Sequence, residues 1–164
     1  ELVPFRAAIG ADGDMIMSAH VHYPALDPEA GLPATLSRTI LTGLLREGLG
    51  YTGIIVTDAM NMKAIADTLP AGPAALTAFL AGADIILMPD DFAAAYEAIL
   101  AAVRSGRISP ARLDASLHRI LTLKSTLMEN KNREESFAVR LRYAETIVGS
   151  QANAARLEAL LYQP

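Results

Sequence analysis

A carboxylate at the end of a short apolar run is the first residue in this sequence whose position suggests chemistry. The run, residues 54 to 57, is β-branched throughout, as in a strand buried on both faces, and Asp58 follows it directly. Ligands and catalytic side chains collect at the carboxyl ends of parallel strands, so Asp58 is the leading candidate for a catalytic carboxylate. The structural alternative is that Asp58 only caps the helix that follows.

Further side chains are predicted to lie at the same edge of the sheet. His20 follows the first predicted strand and Asp90 follows the third, so both lie beside Asp58 if the strands are parallel and ordered as in the sequence. Met60 and Met62 come shortly after Asp58 and are candidates for the wall of a ligand pocket, because methionine forms an adaptable apolar wall, although core filling is the expected role of at least one of them. His20 has an alternative too, since a histidine at a strand end is as often hydrogen-bonded within the fold.

The elements that must position these residues alternate between strand and helix. Continuous apolar runs predict strands over 14–19, 54–57 and 84–88. Amphipathic patterns predict helices over 2–10, 36–47, 61–67, 73–82, 92–104 and from 110 onward, with Asp91 and Ser109 as caps of the last two. The predicted apolar faces include Leu36, Leu41 and Leu45 in the second helix and Phe92 and Tyr96 in the fifth. This repeat is typical of a parallel sheet with right-handed crossovers, and by itself it fits a barrel segment or a small open α/β sheet equally well.

A long loop, residues 21 to 35, follows His20. Its proline and glycine residues oppose regular structure, and a long loop at a strand mouth is typical of a substrate-binding element. Tyr23, Ala25 and Leu26 are predicted to anchor it through apolar contacts.

Composition narrows the classes of function. The chain has 164 residues, is 52% hydrophobic, carries a net charge of −4 and contains no cysteine. These values fit one compact core and exclude a disulfide framework or a thiolate metal site. Because there is no basic cluster and no apolar run of about 18 residues, neither a nucleic-acid nor a membrane partner is expected.

Residues 50 to 65 carry a specific resemblance. Their sequence, Gly-Tyr-Thr-Gly-Ile-Ile-Val-Thr-Asp-Ala-Met-Asn-Met-Lys-Ala-Ile, closely resembles the nucleophile motif of the family 3 glycoside hydrolases, especially the bacterial β-N-acetylhexosaminidase branch. The similarity continues, in the family's order and spacing, through residues 15–21, 33–37 and 81–89. It implies that residues 1–127 are the C-terminal part of a (β/α)₈ TIM-like barrel, an α/β fold with about three parallel strands here. Residues 128–164 would then be a linker and a helical tail.

The resemblance also implies an activity. A member of this family is a retaining glycoside hydrolase, in which Asp58 would be the catalytic nucleophile and His20 and Met62 would contact the substrate. The substrate implied is a carbohydrate with a terminal β-linked N-acetylglucosamine, as in bacterial peptidoglycan fragments, and β-glucosidase or β-xylosidase activity is the alternative. No metal and no organic cofactor is expected, and the compartment, cytoplasmic or secreted, is left open.

One part of the family pattern is missing from these residues. The Lys-His-Phe-Pro-Gly-His-Gly loop, which in the family carries the general-acid histidine, does not occur, and His20, His22 and His118 lie in other contexts. We therefore expect the chain to require a complementary N-terminal barrel half or to self-associate. The alternative is a non-catalytic remnant, and the 164 residues alone are predicted to be inactive.

Overall fold

The computed structural model describes residues 2–129, together with residues 151 and 155. Its elements are α1 (Val3–Gly10), β1 (Met15–Met17), a 3₁₀ helix (Ala34–Leu36), a π-helix (Thr39–Gly48), β2 (Ile54–Val56), α2 (Lys63–Ala66), α3 (Ala71–Ala81), α4 (Phe92–Arg104) and α5 (Pro110–Glu129). Packing divides the chain into two units, Glu1–Leu123 and Lys124–Pro164. The predicted boundary at 127/128 stays a prediction, and the predicted linker and helical tail over 128–164 lie almost entirely outside the described residues.

The sheet is parallel and follows the sequence order, as predicted. β1 pairs with β2 in the register Met15–Ile54, Ile16–Ile55 and Met17–Val56. β2 is buried at all three positions, as its β-branched sequence requires, and on its other side Val56 forms a parallel bridge with Ile85. The carboxyl ends of all three chain segments therefore face the same edge.

Two strand predictions need correction. The third strand, predicted over 84–88, is reduced to the bridge at Ile85, because Leu87 donates its N–H to the Thr57 hydroxyl at 2.9 Å and Met88 turns the backbone to a φ of 46°. The first strand is also not buried on both faces, since Met15 and Met17 are 46% and 53% exposed. No element in the described part of the chain covers those two side chains.

The helix predicted over 36–47 begins later and is wider than an α-helix. It runs as a π-helix over Thr39–Gly48, and Leu49 donates to the carbonyl of Leu44, five residues back, at 2.8 Å. Gly48 permits this approach, because a Cβ atom there would lie only 3.3 Å from the carbonyl oxygen of Gly43. The predicted apolar stripe is nevertheless correct in that Leu36, Leu41 and Leu45 are buried in the main core.

The helix caps of the second half behave as predicted, but the packed face of α4 does not. Asp91 Oδ1 accepts from Ala94 N at 3.0 Å, and Ser109 Oγ accepts from Arg112 N at 3.2 Å. The buried residues of α4 are Ala95 and Ala102, whereas Phe92 and Tyr96, predicted to face the core, are exposed and stack on each other. The reason is close approach of α3 and α4: a Cβ on Gly72 of α3 would lie 3.0 Å from Ala94 O.

An aspartate at the amino end of the strands joins several elements. Asp84 is buried, accepts from Ile55 N at 3.0 Å and pairs with Arg46, Arg112 and Arg119. Burial lowers the pKa of the Arg46 and Arg112 guanidinium groups below the ordinary arginine value, and the Asp84 carboxylate opposes that shift. The cluster fixes the π-helix and α5 to the middle of β2.

Candidate active site

Asp58 is the first residue beyond Thr57 at the open edge of the sheet. Its side chain is partly exposed, and Oδ1 accepts a hydrogen bond from the N–H of Ala59 at 2.7 Å. Among the described residues, no group bonds to Oδ2. The helix-cap interpretation is wrong, because α2 begins only at Lys63 and its N-cap residue is Met62. The carboxylate therefore has one oxygen held by the backbone and one free for a ligand.

The carbonyl of Ala59 brings the three predicted site residues together. It accepts from His20 Nε2 at 3.0 Å and from Met62 N at 3.1 Å, while the N–H of the same residue bonds to Asp58. The prediction that His20 and Asp58 share one edge of the sheet is thus confirmed. That His20 and Met62 touch a sugar remains a prediction.

Both ring nitrogens of His20 have partners within the fold. Nε2 lies against Ala59 O, and Nδ1 lies 2.9 Å from Thr35 Oγ1. An imidazole nitrogen makes one hydrogen bond, so neither nitrogen is free for a sugar hydroxyl in this arrangement. Any contact of His20 with a ligand would be made by the carbon edge or the ring face.

Thr35 belongs to the 33–37 motif, and the sequence alone predicts no function for it. It is completely buried, and its hydroxyl lies 2.8 Å from Ser18 Oγ as well as next to His20. Its backbone N–H bonds to Ala19 O at 3.2 Å, and Ala34 N bonds to Val21 O at 2.9 Å, which fastens this segment alongside the end of β1. In the sequence, only the position of Thr35 in the 33–37 motif, shortly after Pro33, singled it out.

Residues 58–62, here called the Asp58 loop, are bonded on their other side to the segment that follows the Ile85 bridge. The Thr57 hydroxyl accepts from Leu87 N, Met60 N donates to Leu87 O at 2.9 Å, and Asn61 N donates to Met88 O at 3.0 Å. Met60 is buried in the core, and Met62 and Met88 are 45% and 57% exposed. Of the two methionines weighed for the pocket wall, Met62 is therefore the one accessible to a ligand.

Asp90 lies two residues beyond Met88, at the predicted edge of the sheet. Its side chain is exposed and makes no side-chain hydrogen bond or ion pair with the described residues. That Asp90 lies beside Asp58 and His20 stays a prediction.

The loop over residues 21–35 is anchored by polar contacts, which corrects the sequence-based prediction. Tyr23 and Leu26 are about 40% exposed, whereas Asp27 is buried and its carboxylate accepts from the Ser37 hydroxyl and from Glu29 N. The Ser37 hydroxyl, followed by the Glu29 N–H, lowers the pKa of Asp27. Tyr23 and Leu26 stay exposed because the loop crosses the surface, and the Asp27 carboxylate anchors the loop through one backbone N–H and one hydroxyl.

The described residues contain neither a metal-binding cluster nor a membrane-spanning helix. No cluster of three histidine, aspartate or glutamate side chains is placed to bind a metal ion there. Within the same ranges no helix is both long and apolar enough to cross a bilayer.

A carboxylate at the mouth of a parallel α/β sheet, with its loop tied to a neighbouring strand end, defines a class of site found in barrel hydrolases. Residues 1–123 match the family model described as the Glycosyl hydrolase family 3 N terminal domain. The chain belongs to this family, and its fold is accordingly of the α/β TIM-barrel type.

Individual relatives agree with the family assignment. The chain is 36% identical to the β-hexosaminidase A of Pseudoalteromonas piscicida, over 98% of the chain and 29% of that protein. It is 35% identical to a β-N-acetylglucosaminidase/β-glucosidase of Cellulomonas fimi, over 76% of the chain and 24% of the relative. A solved family 3 β-N-acetylglucosaminidase from Paenibacillus sp. str. FPU-7 superimposes with a TM-score of 0.73 at 50% identity, covering 76% of this chain and 24% of that one. The chain thus spans 24% to 29% of the length of these relatives.

Proposed function

We propose that Asp58 is the nucleophile of a retaining β-N-acetylhexosaminidase and that this chain supplies the nucleophile-bearing part of its active site. The observation that carries the proposal is the free oxygen of Asp58 at the carboxyl end of β2, in a loop that His20 ties to the end of β1. The names of the Pseudoalteromonas and Paenibacillus relatives support the choice of sugar.

The chemistry proceeds by two displacements. The Asp58 carboxylate forms a bond to the anomeric carbon while the glycosidic C–O bond breaks, and the departing oxygen takes a proton from a general acid. Water then attacks the same carbon, the glycosyl–Asp58 ester bond breaks, and the deprotonated acid group takes the proton from that water. No metal ion or organic cofactor enters either step.

The general acid must come from outside the motifs present here. Since the Lys-His-Phe-Pro-Gly-His-Gly loop is absent from these 164 residues, we infer that the acid lies on a complementary N-terminal barrel half. A second copy of the chain is the competing partner, and a remnant without catalysis is the outcome if neither completes the site.

β-Glucosidase activity is the second candidate function, and the name of one relative supports it. The Cellulomonas fimi relative carries both β-N-acetylglucosaminidase and β-glucosidase in its name. Aryl β-glucosides and β-xylosides therefore belong beside aryl N-acetyl-β-glucosaminides in the first substrate panel. The substituent at carbon 2 of the best substrate decides between the alternatives.

Replacing the carboxylate tests the proposal. In the complete protein that contains this segment, we expect Asp58→Asn to lower turnover of an aryl N-acetyl-β-glucosaminide by on the order of 10³-fold or more, because the amide cannot attack as an anion. Asp67→Asn, which makes the same charge change at an exposed position beyond α2, is the matched control and should retain wild-type turnover. Near-normal hydrolysis by the Asp58→Asn variant would remove the proposal.

A further inference from the structure

We propose that Thr35 is a positioning residue for the Asp58 loop and that it acts through His20. The expected effect of Thr35 on turnover rests on the proposed function, whereas its expected effect on the His20 tautomer does not. Thr35 does not touch Asp58. It is completely buried, and its one hydroxyl lies between Ser18 Oγ, at 2.8 Å, and His20 Nδ1, at 2.9 Å.

When the His20 imidazole is neutral, the donor and acceptor of each hydrogen bond from Ser18 through Thr35 and His20 to Ala59 are determined. The Ala59 carbonyl can only accept, so His20 Nε2 must carry the proton that it donates there. His20 Nδ1 then holds a lone pair and accepts the proton of the Thr35 hydroxyl. The Thr35 oxygen, having used its own proton, accepts from the Ser18 hydroxyl. By donating to the unprotonated Nδ1, Thr35 therefore stabilises the tautomer of His20 that donates to Ala59.

The consequence reaches the carboxylate through one residue. Ala59 has its carbonyl held by His20 and its N–H donated to Asp58 Oδ1 at 2.7 Å. Thr35 is itself fixed, since its N–H bonds to Ala19 O beside the end of β1. Without the hydroxyl, the Nδ1–H tautomer and a rotated ring become accessible, and the Ala59 carbonyl loses its side-chain donor.

Ring nitrogen spectroscopy tests the tautomer without requiring activity. The chain has only three histidines, so ¹⁵N-histidine labelling gives three ring systems, and His20 is assigned by its loss in a His20→Gln variant. Solid-state spectra are suitable even if the chain self-associates. At a pH where the imidazole is neutral, we expect the Nε2–H tautomer of His20 in the wild type, a mixed or Nδ1–H form in Thr35→Val, and the wild-type form in Thr35→Ser.

The matched control is Thr42→Val. It removes another hydroxyl hydrogen bond, from Thr42 to Ala81 O at 2.7 Å, at the C-terminal end of α3 and away from the Asp58 loop. The His20 spectrum should be unchanged in this variant. An Nδ1–H tautomer in the wild type, or a Thr35→Val spectrum identical to it, overturns the inference.

Kinetics of the complete protein test the effect on the reaction. Thr35→Val should lower kcat on the order of tenfold with KM within about twofold, because a small displacement of the attacking group impairs the chemical step more than binding. Thr35→Ser should restore kcat, and Thr42→Val should leave it near wild type. An unchanged kcat in Thr35→Val, or an equal loss in both valine variants, contradicts the positioning role. If the wild type hydrolyses no glycoside, the proposed function fails, while the spectroscopic test still decides the role of Thr35.

Discussion

At the scale of single residues, the site depends on groups that hold a backbone in place. Ala59 has no functional side chain, yet its peptide groups bond to His20, Met62 and Asp58. The sequence motif identified the two ends of this arrangement, Asp58 and His20. It did not indicate that their connection runs through a main-chain carbonyl, because backbone contacts leave no residue-specific signal.

Met88 is the residue with the most unusual backbone near the site. Its φ of 46° is left-handed, a conformation that costs a non-glycine residue about 1 kcal/mol or more. The loop tolerates it because Met88 O accepts from Asn61 N. The side chain itself is 57% exposed and contributes little burial.

We expect Met88→Gly to leave stability unchanged or to raise it by up to about 1 kcal/mol, since glycine adopts positive φ freely and this offsets its greater unfolded entropy. Met62→Gly is the control, because Met62 is similarly exposed but has a φ of −68° and should lose stability. Urea unfolding at equal protein concentration measures both. A loss in Met88→Gly as large as in Met62→Gly would show that the loop does not hold Met88 under strain.

At the scale of elements, a strand was predictable from the sequence where burial of consecutive β-branched residues is enough to form it. β2 consists of three consecutive β-branched residues, with Thr57 directly after them, and forms as expected between two neighbours. The apolar run 84–88 was also predicted to be a strand. It forms only the bridge at Ile85, because Leu87 N bonds to the Thr57 hydroxyl instead of to a backbone carbonyl of the neighbouring strand. A side-chain hydroxyl that substitutes for a backbone carbonyl is a tertiary contact, which periodicity does not register.

The Asp84 cluster is another element-scale feature that sequence patterns did not reveal. Its arginines come from the π-helix and from α5, far from Asp84 along the chain. Arg112 also donates to the carbonyls of Phe79 and Ala83 at the end of α3 and lies over the Phe79 ring. Read one at a time, each arginine looks like an ordinary charged position on a helix. Only the fold brings them to one buried carboxylate at the end of the sheet opposite Asp58.

At the scale of the whole molecule, apolar surface near β1 is uncovered in the residues that the structure describes. Met15, Met17, Val3 and Phe5 are all more than 40% exposed. A cavity of about 450 Å³ opens beside Ile16 and Met17, and its lining is mostly apolar. A strand edge with apolar neighbours is a surface on which other chains add.

We therefore expect the 164 residues expressed alone to self-associate or aggregate. Sedimentation velocity over a range of concentrations measures this, and Met15→Lys on β1 should weaken the association because an edge charge must be desolvated on pairing. Met128→Lys, at an exposed position of α5, is the control and should have little effect. A monodisperse monomer with a sharp cooperative unfolding transition would contradict the prediction and indicate a self-sufficient domain.

The most direct test of the central claim is covalent trapping of the nucleophile. The complete protein is incubated with a slow 5-fluoro glycoside of N-acetylglucosamine, digested with a protease and mapped by mass spectrometry. Because a retaining enzyme forms a glycosyl ester with its nucleophile, the account predicts a sugar adduct on Asp58, in the peptide spanning β2 and α2. An adduct on any other residue, with Asp58 unmodified, would contradict it.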